Sequence, residues 1–216
     1  MAKEFHNEIL ELKEKVLEMA QLALNMLDDG IKALTTQDFE LAKITDEKKH
    51  KIREYDSKIE EKALQLIALY QPMAKDLRRI GTILKIITYI TRLGRYGKDI
   101  AAVAEILAEK YPMNEYISIQ HMWDHVKSLI KDVIKAFDTA DISKLNTFEE
   151  RDDEIDKMRW NIFRESLTFM MEDSANITCS AHIMMVARYL ERCGDHACKI
   201  AEKVYYMVTG EHTEIS

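Results

Sequence analysis

Two stretches of this chain repeat each other. GIKALTTQDFELAKITDEKKHKI begins at Gly30 and aligns without a gap with VIKAFDTADISKLNTFEERDDEI, which begins at Val133, an offset of 103 residues. Ile31/Ile134, Lys32/Lys135, Ala33/Ala136, Asp38/Asp141, Glu47/Glu150 and Ile52/Ile155 are identical pairs. Farther on, YITRLGRYGKDIA aligns with YLERCGDHACKIA at an offset of 100, pairing Tyr89/Tyr189, Arg92/Arg192, Gly94/Gly194 and Ile100/Ile200. The three-residue difference fits a change of loop length near Gln71–Lys75. A period near one hundred means one folding unit built twice, so the fold of one half constrains the other.

Each half reads as three helices. Phe5, Ile9, Leu12, Val16, Met19 and Ala23 follow the three- and four-residue spacing of one apolar helical face. Thr35–Asp38 supplies a turn and a capping residue, and a second helix runs to about Tyr70. Pro72 suits the first turn of a third helix, which extends to about Lys110. Tyr111–Pro112 separates the halves, and helices over about 114–137, 143–171 and 174–208 follow. No segment has a strand-like alternation, and only 6 Gly and 2 Pro are present to build turns. The expected architecture is all-α: two tandem three-helix bundles, residues 1–110 and 111–210, with a tail at 211–216.

A net charge of −7 argues against a nucleic-acid surface. No apolar run approaches the roughly 20 residues needed to span a bilayer, and the charged N-terminus does not read as a secretory signal. Three cysteines, Cys179, Cys193 and Cys198, suggest a reducing, cytoplasmic setting. Cys193 and Cys198 are five apart, share no helical face, and read as small apolar residues.

The chemistry lies in the second half. Asp152 and Asp156 are four apart, as are Glu191 and Asp195. Each pair therefore shares a helical face, and the repeat puts the pairs on neighbouring antiparallel helices. Two carboxylates ~6 Å apart repel by roughly 3 kcal/mol at an effective dielectric near 20. Four together call for a cation, and an all-oxygen set suits hard ions such as Mg²⁺, Mn²⁺ or Fe³⁺. The alternative is a solvated acidic face paired with Arg151, Arg188 and Arg192, and spacing alone leaves both open.

The string ERCGDHACKIAE, Glu191–Glu202, resembles the third-helix signature of the PhoU family, close to ERIGDxAxxIAE. Asp152–Asp156 is its partner string, and Gln71, Pro72, Ala74, Asp76, Leu77 and Arg78 match the family's QPxAxDLR. The resemblance extends from Phe5 to Gly210. It implies a regulator of a phosphate ABC transporter that contacts the cytoplasmic ATPase and, in many bacteria, a sensor histidine kinase. It further implies a homodimer that meets the membrane only through protein partners. The family's carboxylates bind iron, zinc or magnesium, so a Fe, Zn, Mg or Mn ion is expected at Asp152, Asp156, Glu191 and Asp195.

The first half departs from that pattern. Lys49, Arg53, Thr91 and Arg95 stand where the four carboxylates would be. Cations there either replace the metal's charge against Glu47, Glu54 or Asp99, or form an anion site. Glu47–His50 lacks the second copy a di-iron bundle needs, and His121/His125 lack the glutamate of a zinc-protease motif. The methionine pairs 170–171 and 184–185 read as core filler. Two rival functions remain: a metalloenzyme or metal-storage bundle on the same four carboxylates, for which no separate general base is evident, and a metal-free scaffold.

Overall fold

The computed structural model describes residues 2–107 and 117–215. They form six long helices joined by short turns, with no strand among the described residues. These are α1 (Ala2–Thr36), α2 (Phe39–Tyr70), α3 (Ala74–Leu107), α4 (Ile117–Thr139), α5 (Phe148–Glu172) and α6 (Ile177–Thr209), with single 3₁₀ turns at Leu145–Thr147 and Ser174–Asn176. The expected end of the third helix near Lys110, the Tyr111–Pro112 break and the start of the fourth helix lie outside the described residues.

The turns follow their local chemistry. Asp38 caps α2 by accepting from the Leu41 amide at 2.9 Å. Its repeat mate Asp141 accepts from the Ser143 amide instead, at 3.0 Å. That tighter turn and the following 3₁₀ segment push the start of α5 to Phe148, five residues later than the sequence pattern suggests. Pro72 lies in the α2–α3 connection, before the first turn of α3. Gln71 and Ala74 bracket that connection in left-handed conformations. Three residues thus separate α2 from α3, whereas Asp173 alone stands between α5 and the 3₁₀ turn that leads into α6. The slip in repeat offset therefore falls at Gln71–Met73.

Within each half the three helices pack on one another, and the halves join chiefly through α3 and α6. The repeat is visible in the packing. Gly94 lets α3 close on Ile52 of α2, and Gly194 lets α6 close on Ile155 of α5. Ile52 and Ile155, and likewise Ile100 and Ile200, are fully buried. The seam between the halves is antiparallel: Tyr89 stacks near His196 (5.7 Å between centroids) and Tyr96 near Tyr189 (5.6 Å). Because 89/189 and 96/196 are repeat mates, these are one contact seen from both sides of an internal two-fold axis. A second junction joins α1 to α4, where Asp28 accepts from Trp123 Nε1 (2.9 Å) and Lys127 (2.5 Å).

The tightest approach is α1 on α3. A Cβ on Gly97 would lie 2.5 Å from the Met26 carbonyl carbon, whereas one on Gly81 would meet nothing within 4 Å. Gly97→Ala is expected to lower stability by several kcal/mol, beyond the roughly 1–3 typical of overpacking, because backbone cannot give way as a side chain can. Gly81→Ala should stabilise by about 0.5–1 kcal/mol through helix propensity. Urea unfolding of the two variants checks both signs.

Candidate functional site

Helices α5 and α6 run antiparallel, and each carries its carboxylates four residues apart on the face turned to the other. Reading along the contact, Asp152 lies against Gly194, Asp195 and Cys198, and Arg159 reaches Glu191. Gly194 makes the approach possible. A Cβ there would stand 2.8 Å from Asp152 Oδ1, so any larger residue would expel the carboxylate.

Burial divides the four. Asp152 and Glu191 are buried, Asp195 is partly covered, and Asp156 is exposed. Burial, followed by the charges of Asp195 and Asp156, pushes the Asp152 carboxyl up to about 6, against the opposing hydrogen bond from the Cys198 thiol. Glu191 is also raised, because burial outweighs the cations that face it. Those cations are Arg159, whose Nε lies 3.1 Å from Oε1, and Arg188, which pairs with Oε2. Arg192 pairs with Asp195 at 3.2 Å.

The structure thus brings Asp156 and Asp195 within electrostatic reach of Asp152 and turns Glu191 toward arginine. Among the described residues no group of three or more His, Cys, Asp or Glu side chains stands ready-made around a metal position. The donor chemistry nevertheless fits a cation: carboxylates on facing helices, a glycine cradle beneath the innermost one, and repulsion that raises its pKa. Closing on an ion requires Glu191 and Asp195 to leave their arginines.

Two participants are not singled out by the sequence pattern. Arg159 is seven residues from Asp152 and three from Asp156, so helical spacing alone places it on their face. Cys198 is three residues past Asp195, fully buried in the core as the sequence suggests, and lies near Asp152. Arg151, expected to pair with the acidic face, bonds Asp132 at 3.0 Å instead. The remaining candidates lie apart. Glu47 and His50 are exposed on α2, and His121 and His125 meet edge to face at 4.7 Å on α4. Met171 and Met185 are exposed, and Met170 and Met184 only half-buried, so the methionine pairs do not fill the core.

In the first half Lys49 pairs with Asp46 at 2.5 Å rather than with Glu47, and Lys98, the repeat mate of Cys198, pairs with Asp99. Thr91 donates to Asp56 at 3.0 Å. Arg53 and Arg95 are exposed.

An all-helical molecule of two like three-helix units, one with a carboxylate row between its second and third helices, defines a class of duplicated helical-bundle proteins. The profile of the PhoU domain matches residues 16–104 and again 119–204, and the chain belongs to the PhoU family. It is 39% identical over 210 residues to a phosphate-specific transport system accessory protein PhoU homolog of Caulobacter vibrioides, covering 97% of this chain and 91% of that one. A Rhizobium meliloti homolog of the same description is 36% identical over 207 residues, covering 95% and 87%. The crystal structure of PhoU from Pseudomonas aeruginosa superposes with a TM-score of 0.91 at 30% identity, covering 96% of this chain and all of that one. The phosphate transport system regulatory protein PhoU from Streptococcus pneumoniae superposes at 0.87 with 27% identity, covering 97% and 99%.

The raised Asp152 carboxyl has a consequence for the metal-free protein. A group whose pKa rises on folding contributes stability that is complete below its unfolded value, near 3.8, and is lost as pH climbs through about 6. His196 works in the other direction. Burial, then Arg92, hold it down to about 4, so its contribution is present above its ordinary 6.5 and fades as pH falls toward 4. Asp152→Asn should therefore be more stable than the parent at pH 7.5 in chelator, by about 1–3 kcal/mol. It should also lose more stability between pH 7 and pH 5, because only the histidine contribution remains. Urea titrations at the two pH values measure this.

Proposed function

We propose that this protein is a regulatory adaptor of phosphate uptake, without catalysis of its own, acting on the cytoplasmic ATPase of a phosphate ABC transporter and, where one is present, on a sensor histidine kinase. The observation that carries this reading is the full-length likeness to proteins described as accessory to a phosphate-specific transport system. No described helix is long and apolar enough to cross a membrane, which accords with a cytoplasmic homodimer that reaches the membrane through its partners. The molecule suits an adaptor: six long helices around a continuous core make a stiff platform.

In this reading Asp152, Asp156, Glu191 and Asp195 hold a metal ion drawn from Fe, Zn, Mg or Mn. When bound, it supplies positive charge that screens the carboxylates and ties α5 to α6. The chain's own residues prepare that place. Gly194 admits Asp152 to the helix contact, and Arg159 and Arg188 keep the buried Glu191 charge compensated in the absence of an ion. The same arginines favour a second reading, a metal-free scaffold in which they are the permanent counter-ions.

Two measurements separate these. Affinity capture from solubilised membranes should recover the transporter's ATPase subunit, and capture of none would overturn the adaptor reading. For the metal, thermal midpoints with and without chelator should differ in the wild type. Native-state binding at a hundredfold excess over Kd adds about 2.7 kcal/mol. That difference should vanish in Asp156→Asn/Asp195→Asn, which stays folded because neutral amides remove the repulsion along with the ligands. A wild type indifferent to confirmed metal removal establishes the scaffold reading instead.

A further inference from the structure

A groove between α1 and α2 lies in the other half of the molecule from the carboxylates. Its volume is about 370 Å³, a size that suits a small ligand. Buried Leu12 and Ile59 and half-buried Tyr55 give it an apolar floor. The Tyr55 hydroxyl donates to Glu18 at 3.0 Å, which fixes the ring. Four lysines, Lys15, Lys51, Lys58 and Lys62, line the groove against two acids, Glu11 and Glu54. Lys51 and Lys62 are eleven residues apart on α2, so the cationic rim extends roughly 16 Å along the helix.

The repeat shows that the fold does not demand this lining. At the offset of 103 residues, buried Ile59 is kept as buried Ile162, but Lys15, Lys51, Lys58 and Lys62 correspond to Ser118, Glu154, Asn161 and Glu165. In the second half Ser118 donates to Glu165 at 2.8 Å and ties α4 to α5. Their mates Lys15 and Lys62 are both cations and cannot bond each other. Lys15 turns to Glu18 at 2.8 Å and Lys62 to Glu8, two acids outside the lining. Lys58 pairs with Glu54 at 2.5 Å, and Lys51 takes no ion pair among the described residues. The rim is thus held apart where the second half is closed.

We propose that this groove binds a nucleotide with two or three phosphates, the phosphates lying among the four lysines and the base packing on Leu12, Tyr55 and Ile59. Lysine ammonium groups on flexible stems take phosphate oxygens as point charges, and an aromatic ring offers a flat base a stacking face. An inorganic anion would leave the apolar floor uncovered, and a neutral ring would leave Lys51 unpaired. Exposed lysines act through water, so affinity falls as salt rises. Binding makes and breaks no covalent bond. The inference goes beyond the adaptor reading and is independent of the carboxylates between α5 and α6: it gives the first unit a ligand of its own.

Full-length protein in chelator, at fixed ionic strength, would be titrated calorimetrically with ATP, tripolyphosphate and adenosine. ATP is expected to bind at least tenfold more tightly than either of the others. Lys15→Ser/Lys62→Glu installs the residues of the second half and should lower ATP affinity at least tenfold without lowering the thermal midpoint. Lys131→Ser/Lys135→Glu, the same change of charge on α4, should leave ATP affinity within about twofold of wild type. In wild-type protein, where no variant has to fold, ATP should protect Lys51 and Lys58 from amine acetylation and leave Lys131 and Lys135 unprotected. Tripolyphosphate binding as tightly as ATP would reduce the groove to a charged patch and overturn the proposal. So would adenosine binding as tightly, equal losses in the two variants, or no binding of ATP. Capture of the transporter's ATPase reads the adaptor role separately from each of these results.

Discussion

The antiparallel seam between α3 and α6 is what makes one molecule of two units. The three helices of each unit pack on one another, but Tyr89, Tyr96, Tyr189 and His196 are apolar or weakly polar surfaces that one unit alone would leave to water. Pairing them across a pseudo-two-fold axis covers both faces with a single contact. The arrangement is the intramolecular form of an isologous dimer interface, in which each surface patch meets its own repeat mate. It also explains a buried histidine whose Nε2 has no hydrogen-bond partner. His196 occupies the place of an aromatic ring, its mate being Tyr96, and burial favours its neutral, ring-like form.

Once two halves share this frame, their sequences diverge where the frame does not constrain them. The contact between second and third helices is kept by Ile52 on Gly94 and by Ile155 on Gly194. Beside it one half places Lys49, Thr91 and Arg95 and the other Asp152, Glu191 and Asp195. In the first half Lys49 pairs with Asp46 and Lys98 with Asp99 within single helices, while Thr91 of α3 reaches Asp56 of α2. In the second half, Arg159 of α5 crosses to Glu191 of α6, and burial together with the charges of Asp195 and Asp156 makes the ionised form of Asp152 unfavourable. Local pairs on an exposed helix contribute little. A buried group of like charges stores repulsion that an added cation, a proton or an arginine can relieve.

Much of this was legible in the sequence because helices impose a period. The repeat offset pointed to a loop near Gln71–Lys75, where the structure has the Gln71–Met73 connection, and the i, i+4 carboxylates pointed to the faces that α5 and α6 turn to each other. What was not legible depended on residues whose type carries no periodic signal of its own. Cys198 is chemically indistinct from a small core residue until Asp152 is found against it. Arg159 is an ordinary surface cation until α6 places Glu191 opposite. The exposure of Met171 and Met185 was missed because methionine suits a core and a surface equally well in sequence. The late start of α5 reflects a one-residue difference in where Asp38 and Asp141 find an amide, which hydrophobic spacing does not register.

Gly194 ties the fold to the chemistry. A glycine inside a helix gives up roughly 0.5–1 kcal/mol relative to alanine. In the first half Gly94 returns that as packing, because a Cβ there would press on Ile52 at 3.0 Å, a distance a flexible side chain could relieve. In the second half the nearest atom is Asp152 Oδ1 at 2.8 Å, with Ile155 behind it at 3.3 Å. The space left by the missing side chain is therefore occupied by a carboxylate. Packing alone would favour filling it with carbon, and burial penalises the charge placed there. A buried acid held in a glycine cradle, with the charges of Asp195 and Asp156 near it, is a poor way to stabilise a helix pair.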